Sequence, residues 1–178
     1  MTSSTQFIEM SNPLFTYISD RIRTSYQNAC ILWIEENINN TLFDAYVTRK
    51  YEIEQLRGIP SEERLLFHGT REDIINIISS EGFDAKFNKT SAFGKGIYFA
   101  EQASYSKNYS NKEINDISYM FLCNVLIGNP RSGKPGISID TNKYDSACND
   151  LNQPTIVVSP YNDGSYPRYI IAFHKNSK

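Results

Sequence analysis

Residues 117–127 limit the fold more than any other stretch. Read as an extended strand, they put Ile117, Tyr119, Phe121, Cys123 and Val125 on one face and Met120, Leu122 and Leu126 on the other. A strand that is apolar on both faces belongs in the middle of a sheet, so this run predicts a central strand. The helical patterns lie mostly before it and the remaining strands after it. Asn12 and Pro13 open a helix as cap and first-turn residue, and Leu14, Phe15, Ile18 and Ile22 recur at helical spacing in a segment that runs to about residue 28. Residues 1–12 are polar and read as loose. Residues 30–34 are a short apolar run bounded by charge, whose length favours a strand. Asn39 and its neighbours cap a second helix over residues 42–56, with Leu42, Phe43, Tyr46, Val47 and Tyr51 on its apolar side and Gly58-Ile59-Pro60 ending it.

Residues 64–68 read as a short strand. Thr70-Arg71-Glu72-Asp73 has the pattern of a capping box, opening a helix that carries Ile74, Ile75, Ile77 and Ile78 and closes at Glu81-Gly82. Residues 84–93 make a polar connection longer than most in a compact domain, which reads as a cover over a site. A strand at 96–100 and a short helix bearing Ser104, Ser106 and Tyr109 follow. Residues 128–135 read as a turn-rich loop and 144–153 as irregular, with final strands at 156–158 and 168–173. Helices early and irregularly linked strands late describe an α+β domain rather than a doubly wound one.

A chain of 178 residues suits one domain, and 40% apolar with 21% charged residues is ordinary globular composition. The net charge of -2 and a pI near 5.7 give no electrostatic footprint for duplex nucleic acid. Cys30, Cys123 and Cys148 are odd in number, widely spaced and without metal-ligand spacing, so neither a disulfide framework nor a metal is expected. The N-terminus lacks a signal-peptide pattern and no apolar run is long enough to span a bilayer. The expectation is a monomer in the cytoplasm or nucleus with no membrane contact.

Several short motifs stand out in order: His68-Gly69-Thr70, Gly94-Lys95-Gly96-Ile97-Tyr98-Phe99-Ala100, Ala103-Ser104-Tyr105-Ser106 with Tyr109, Met120-Phe121-Leu122, Tyr144-Asp145-Ser146 and Tyr166-Pro167-Arg168-Tyr169-Ile170-Ile171. Together they resemble the catalytic domain of the poly(ADP-ribose) polymerase (PARP) superfamily over residues 40–173. Residues 1–24 would then be an N-terminal extension and 25–178 the catalytic domain. Leu42-Phe43-Asp44-Ala45-Tyr46 is similar to the helix that precedes that family's catalytic core. The likeness is greatest to the mono-ADP-ribosylating members. Chain-elongating members carry a His-Tyr-Glu triad, whereas here the third position reads as Ile156, giving His68, Tyr98 and Ile156.

The resemblance implies an ADP-ribosyltransferase fold with mixed, mostly antiparallel sheets, and NAD as co-substrate. It implies that His68 hydrogen-bonds the adenosine-side ribose, and that the Gly69 backbone and the Ser106 hydroxyl hold the nicotinamide carboxamide. Tyr109 would stack on the nicotinamide ring and Tyr98 would line the opposite side, with Thr70, Phe99 and Ala100 completing the NAD contacts. Without a glutamate at Ile156, one ADP-ribose would pass to a protein acceptor, including the protein itself. Two other readings stay open. One is a catalytically silent module that binds NAD or a partner. The other is transfer to a terminal phosphate of RNA, which the acidic pI opposes and Lys86, Lys89 and Lys95 around the suspected cover favour. Ser104, Tyr105 and Ser110 read as helix surface or packing, Glu101 as uninvolved, and His174 as exposed and idle.

Overall fold

In the computed structural model, which describes residues 4–87, 91–110 and 117–174, the run at 117–127 does become an interior strand. In chain order the elements are β1 (Ser4–Phe7), α1 (Pro13–Arg23), β2 (Cys30–Ile38), α2 (Asn40–Arg57), β3 (Glu63–Thr70), α3 (Glu72–Glu81), β4 (Ile97–Ala100), α4 (Ala103–Ser106), β5 (Ile117–Leu126), β6 (Pro130–Ser132), β7 (Ser146–Cys148), β8 (Ile156–Ser159) and β9 (Ser165–His174). The strands form a nine-stranded sheet in the order β1-β2-β9-β5-β3-β4-β8-β7-β6. Its described pairs are antiparallel except β6 with β7.

The two faces of β5 go to two core layers, as the alternation predicts. Tyr119, Phe121, Cys123 and Val125 pack with Leu66, Ile170 and Ala172 under the Ile75 and Ile78 face of α3. Met120 and Leu122 pack with Phe67, Ile171 and Phe173 against Ile18 and Ile22 of α1. Ile18, Ile22 and Ile171, which are fully buried, each add about 2 kcal/mol over an exposed isoleucine. Asn12 and Asn39 act as caps, their Oδ1 atoms accepting from Leu14 N at 2.9 Å and Leu42 N at 3.1 Å. Gly58 closes α2 in the left-handed region at φ 70°, which a glycine adopts without strain. No helix among the described residues is long and apolar enough to cross a membrane.

Several sequence expectations give way. Residues 4–7 are a strand, exposed along its length and held by backbone pairing to β2, which polarity alone does not reveal. Helix α1 stops at Arg23 instead of running to residue 28. Helix α2 buries Tyr46 and Ile53 and leaves Phe43, Val47 and Tyr51 exposed, because its inner face meets Leu126 and Tyr166. Thr70 is not a helix cap: it ends β3, opposite Tyr119, and Arg71 occupies the cap position of α3 without a side-chain capping bond. Both stretches read as irregular contain short strands, β6 and β7. His174 is half-buried at the end of β9, opposite Cys30 and Ile117.

Tyr46 anchors α2 through one polar bond. Its hydroxyl donates to Glu63 Oε2, while Asn124 Nδ2 and Lys50 Nζ hold the same carboxylate. Burial pushes the Glu63 carboxyl up, but these donors and the Lys50 charge outweigh it and leave it below the usual range. Tyr46→Phe is therefore expected to cost about 2 kcal/mol in urea melts at neutral pH. A lowered carboxyl contributes stability that is present above its unfolded value and lost as pH falls through its folded one. The Tyr46→Phe deficit should thus shrink on acidification below about pH 4; a deficit independent of pH would contradict this assignment.

Candidate active site

β3 and β4 meet at one residue pair, Phe67 opposite Ala100. Beyond it the strands part, and a cavity of about 840 Å³ opens in the fork. His68, Gly69 and Thr70 continue one prong, Tyr98, Phe99 and Ala100 form the other, and Ser106 and Tyr109 from the segment after β4 close the gap; all of them line the cavity.

His68 bridges the prongs. Its Nδ1 lies 2.8 Å from the Tyr98 carbonyl oxygen, and because a carbonyl only accepts, Nδ1 carries the proton. The ring packs edge-on to Phe83 at 4.9 Å and beside Phe99 at 5.6 Å. Burial pushes its pKa below the ordinary imidazole value despite the opposing bond to Tyr98. A neutral ring with Nδ1–H leaves the Nε2 lone pair as a hydrogen-bond acceptor, the complement of a hydroxyl donor.

Tyr98 is fixed at its tip: its hydroxyl donates to the Gly94 carbonyl at 2.7 Å and accepts from Phe93 N at 3.0 Å. Burial pushes this phenol up. Gly96, at φ 155°, lets the same turn lie on β8, since a Cβ there would stand 2.3 Å from the Ser159 carbonyl oxygen. Gly69 has a tighter constraint. A Cβ on it would meet the Ser106 carbonyl oxygen at 1.8 Å, so only glycine lets α4 seat against β3.

Tyr109 is 47% exposed at the cavity edge, and its hydroxyl donates to that of Tyr105 at 3.1 Å. Tyr105, read from sequence as helix surface or packing, also lines the cavity. Its ring centroid lies 5.5 Å from that of Tyr109, and the bond to Tyr109, followed by burial, pushes its phenol up to about 12. The signal available in sequence was the four-residue spacing of the two tyrosines on a helical turn. Ser110 is buried and donates to the Tyr119 carbonyl, a packing role as expected.

The connection at 84–93 contributes Asp84 and Phe87 to the lining, and Phe87 is 82% exposed. Asn162 Oδ1 accepts from Ala85 N at 3.0 Å and ties this connection to the β8–β9 turn. Lys89 lies outside the described residues.

Ile156 lies outside the cavity lining. It stands opposite Ala100, and its amide donates to Asn149 Oδ1 at 2.9 Å. Strand alternation puts it on the face of Val158, which packs near Tyr98. Val157 faces the other way, with Phe99, and Thr155 precedes Ile156 on that same face, the one bearing His68. The Thr155 carbonyl accepts from Glu101 N, extending the β4–β8 pairing by one residue. Glu101, the carboxylate next in sequence to β4, is paired with Arg21 at 2.9 Å and lies outside the lining, whereas Glu81, Asp84 and the Arg49-paired Asp163 contribute to it. Among the described residues no group of histidine, cysteine and acidic side chains could hold a metal ion.

A family model for the poly(ADP-ribose) polymerase catalytic domain matches residues 17–155. The chain belongs to that family. Among curated relatives, the human protein mono-ADP-ribosyltransferase PARP14 is 27% identical over 177 residues, covering 93% of this chain and 10% of the relative. The mouse protein mono-ADP-ribosyltransferase PARP12 is 34% identical over 156 residues, covering 82% of this chain and 22% of the relative. Mouse PARP11, with the same descriptive name, is 30% identical over 167 residues, covering 76% and 50%. The chain thus spans half or less of the length of these relatives. Within the PARP catalytic domain family, the mixed α+β sheet seen here is the fold that the motifs led one to expect.

Proposed function

We propose that the protein transfers one ADP-ribose from NAD to a protein side chain and releases nicotinamide. The observation that carries this is the convergence of His68, Gly69, Thr70, Tyr98, Phe99, Ala100, Ser106 and Tyr109 on one cavity, at a fork whose neighbouring strand β8 offers no carboxylate. The residues suit NAD. The free Nε2 of His68 accepts from a ribose hydroxyl. The Gly69 backbone and the Ser106 hydroxyl together hold a carboxamide, donor to acceptor and acceptor to donor. Tyr109 and Tyr98 supply flat faces for the nicotinamide ring, and Thr70, Phe99 and Ala100 complete the wall.

Breaking the nicotinamide–ribose bond builds positive charge on the ribose. In this reading the β8 entrance presents Thr155 and Ile156, and neither side chain ionises. That position then lacks a group to activate a second ADP-ribose, so transfer stops at one unit, with the acceptor's own carboxylate supplying the missing negative charge. The catalytic unit includes α1, whose Ile18 and Ile22 lie in the core.

Incubation with labelled NAD and intact-mass measurement tests the reading. Wild type should gain single ADP-ribose increments and release nicotinamide, and His68→Ala should lower that rate by about 100-fold. Polymer ladders would rule out single-unit transfer. NAD binding with neither mass gain nor nicotinamide release would favour a silent binding module instead.

A further inference from the structure

The fork between β3 and β4 is held from below by a side chain of α1. Arg21 donates through Nη2 to the Leu65 carbonyl at 2.6 Å and to Glu101 Oε1 at 2.9 Å. Leu65 lies on β3 two residues before Phe67, and Glu101 directly follows Ala100. One guanidinium therefore joins both strands on the closed side of their single pair. Charge-assisted bonds to a carbonyl and a carboxylate suit arginine's rigid planar donors. The pair is not a free surface contact: the Arg21 and Glu101 side chains are 25% and 40% exposed, and the guanidinium also lies 5.9 Å from the Phe67 ring centroid.

Two further contacts leave the same end of α1. Ser104 N donates to Ser25 Oγ at 3.3 Å, and Lys107 Nζ stands 4.2 Å from the Tyr26 ring centroid. Glu101, Ser104 and Lys107 belong to the segment that carries Ser106 and Tyr109. Arg21, Ser25 and Tyr26 thus grip that segment, yet none of them lines the cavity. The Gly69–Ser106 approach leaves no slack, so a small rotation of the segment moves both the Ser106 hydroxyl and the Tyr109 ring.

We infer that Arg21 is a positioning residue for the cavity: with Glu101 it fixes the angle of the fork, and so the seat of Ser106 and Tyr109, without touching the ligand. Only the kinetic arm of the test rests on the NAD-transfer reading. Arg21→Met, Arg21→Lys, Glu101→Ala and the Arg21→Met/Glu101→Ala double variant are made in the full chain. Arg21→Met should raise KM for NAD about five- to tenfold while kcat stays within about twofold, the pattern of lost binding shared by the ground and transition states. Arg21→Lys should recover part of this. The double variant should be no worse than Arg21→Met, because both changes remove one shared contact. Amide hydrogen exchange over residues 101–109 should be about tenfold faster in Arg21→Met, with β5 unchanged.

A lower melting temperature with unchanged KM would reduce Arg21 to a stabilising contact and overturn the inference. Additive single effects would also overturn it, and so would unchanged exchange over 101–109, whatever the activity. Faster exchange in a protein whose wild type never consumes NAD would uphold the clip and sink the NAD reading alone.

Discussion

Gly69→Ala is expected to lower NAD turnover by about 100-fold or more, well beyond its effect on stability. The new Cβ would sit 1.8 Å from the Ser106 carbonyl oxygen and 2.8 Å from its carbonyl carbon. Real contacts of this type need more than 3 Å, so the α4 backbone must retreat by more than an ångström. Backbone cannot swing aside as a flexible side-chain end would. Gly69 is also paired with Met120 of β5, which is fully buried, so β3 has no room to yield in the opposite direction. The displacement therefore falls on Ser106 and, through it, on Tyr109. Overpacking of this kind costs about 1–3 kcal/mol, which a chain of this size survives. The checks are the nicotinamide release rate and the thermal melt of the same sample. An alanine variant within about threefold of wild type would show that Ser106 is not held against Gly69 as described.

The sequence reveals the motif residues better than it reveals what holds them. His68, Gly69, Thr70, Tyr98, Phe99, Ala100, Ser106 and Tyr109 were all legible, because short motifs keep residues close along the chain and the fold then needs only to bring three segments together. Arg21 was not legible. Its partners are 44 and 80 residues away, and nothing local marks an arginine on an amphipathic helix as bridging two strands. Ile156 shows a further limit: the position of a strand can be read from its composition, but which neighbour faces a cavity depends on register against β4.

The same division runs through the fold. Both faces of β5 could be read because its alternation is complete and both sides are buried. Asn12 and Asn39 could be read as caps because capping is a local bond. The Thr70 pattern misled for the opposite reason: a local capping box lost to eight residues of pairing between β3 and β5. β1 was invisible because its stability comes from backbone bonds to β2, which leave no mark on side-chain polarity. β7 hid in a polar stretch since its cover comes from β6 and β8 on either side.

That polar stretch also contains the contact with the largest expected effect on stability. Asp145 is 0% exposed at its side chain and Arg57, from the last turn of α2, is 14% exposed. Arg57 donates through Nε to Oδ2 at 3.0 Å and through Nη2 to Oδ1 at 2.9 Å, while Asn129 N donates to Oδ2 at 2.7 Å. The same guanidinium reaches the carbonyls of Asn142 and Thr141. One ion pair thus joins α2 to the segments that flank β6 and β7, and the bond to Asp145 holds the Arg57 pKa above its ordinary value. Asp145→Ala would leave a largely buried guanidinium without its counter-charge and strip Asn129 N of its acceptor. The expected loss is about 3–5 kcal/mol, or roughly 6–20 °C in melting temperature for a domain of this length. Most of that is the cost of the stranded charge rather than the worth of the pair. An Arg57→Met/Asp145→Leu double variant, which removes both charges, should therefore recover more than half of the loss in the same melts. If the double variant is as unstable as the sum of the single ones, the pair itself and not the stranded charge holds α2 in place.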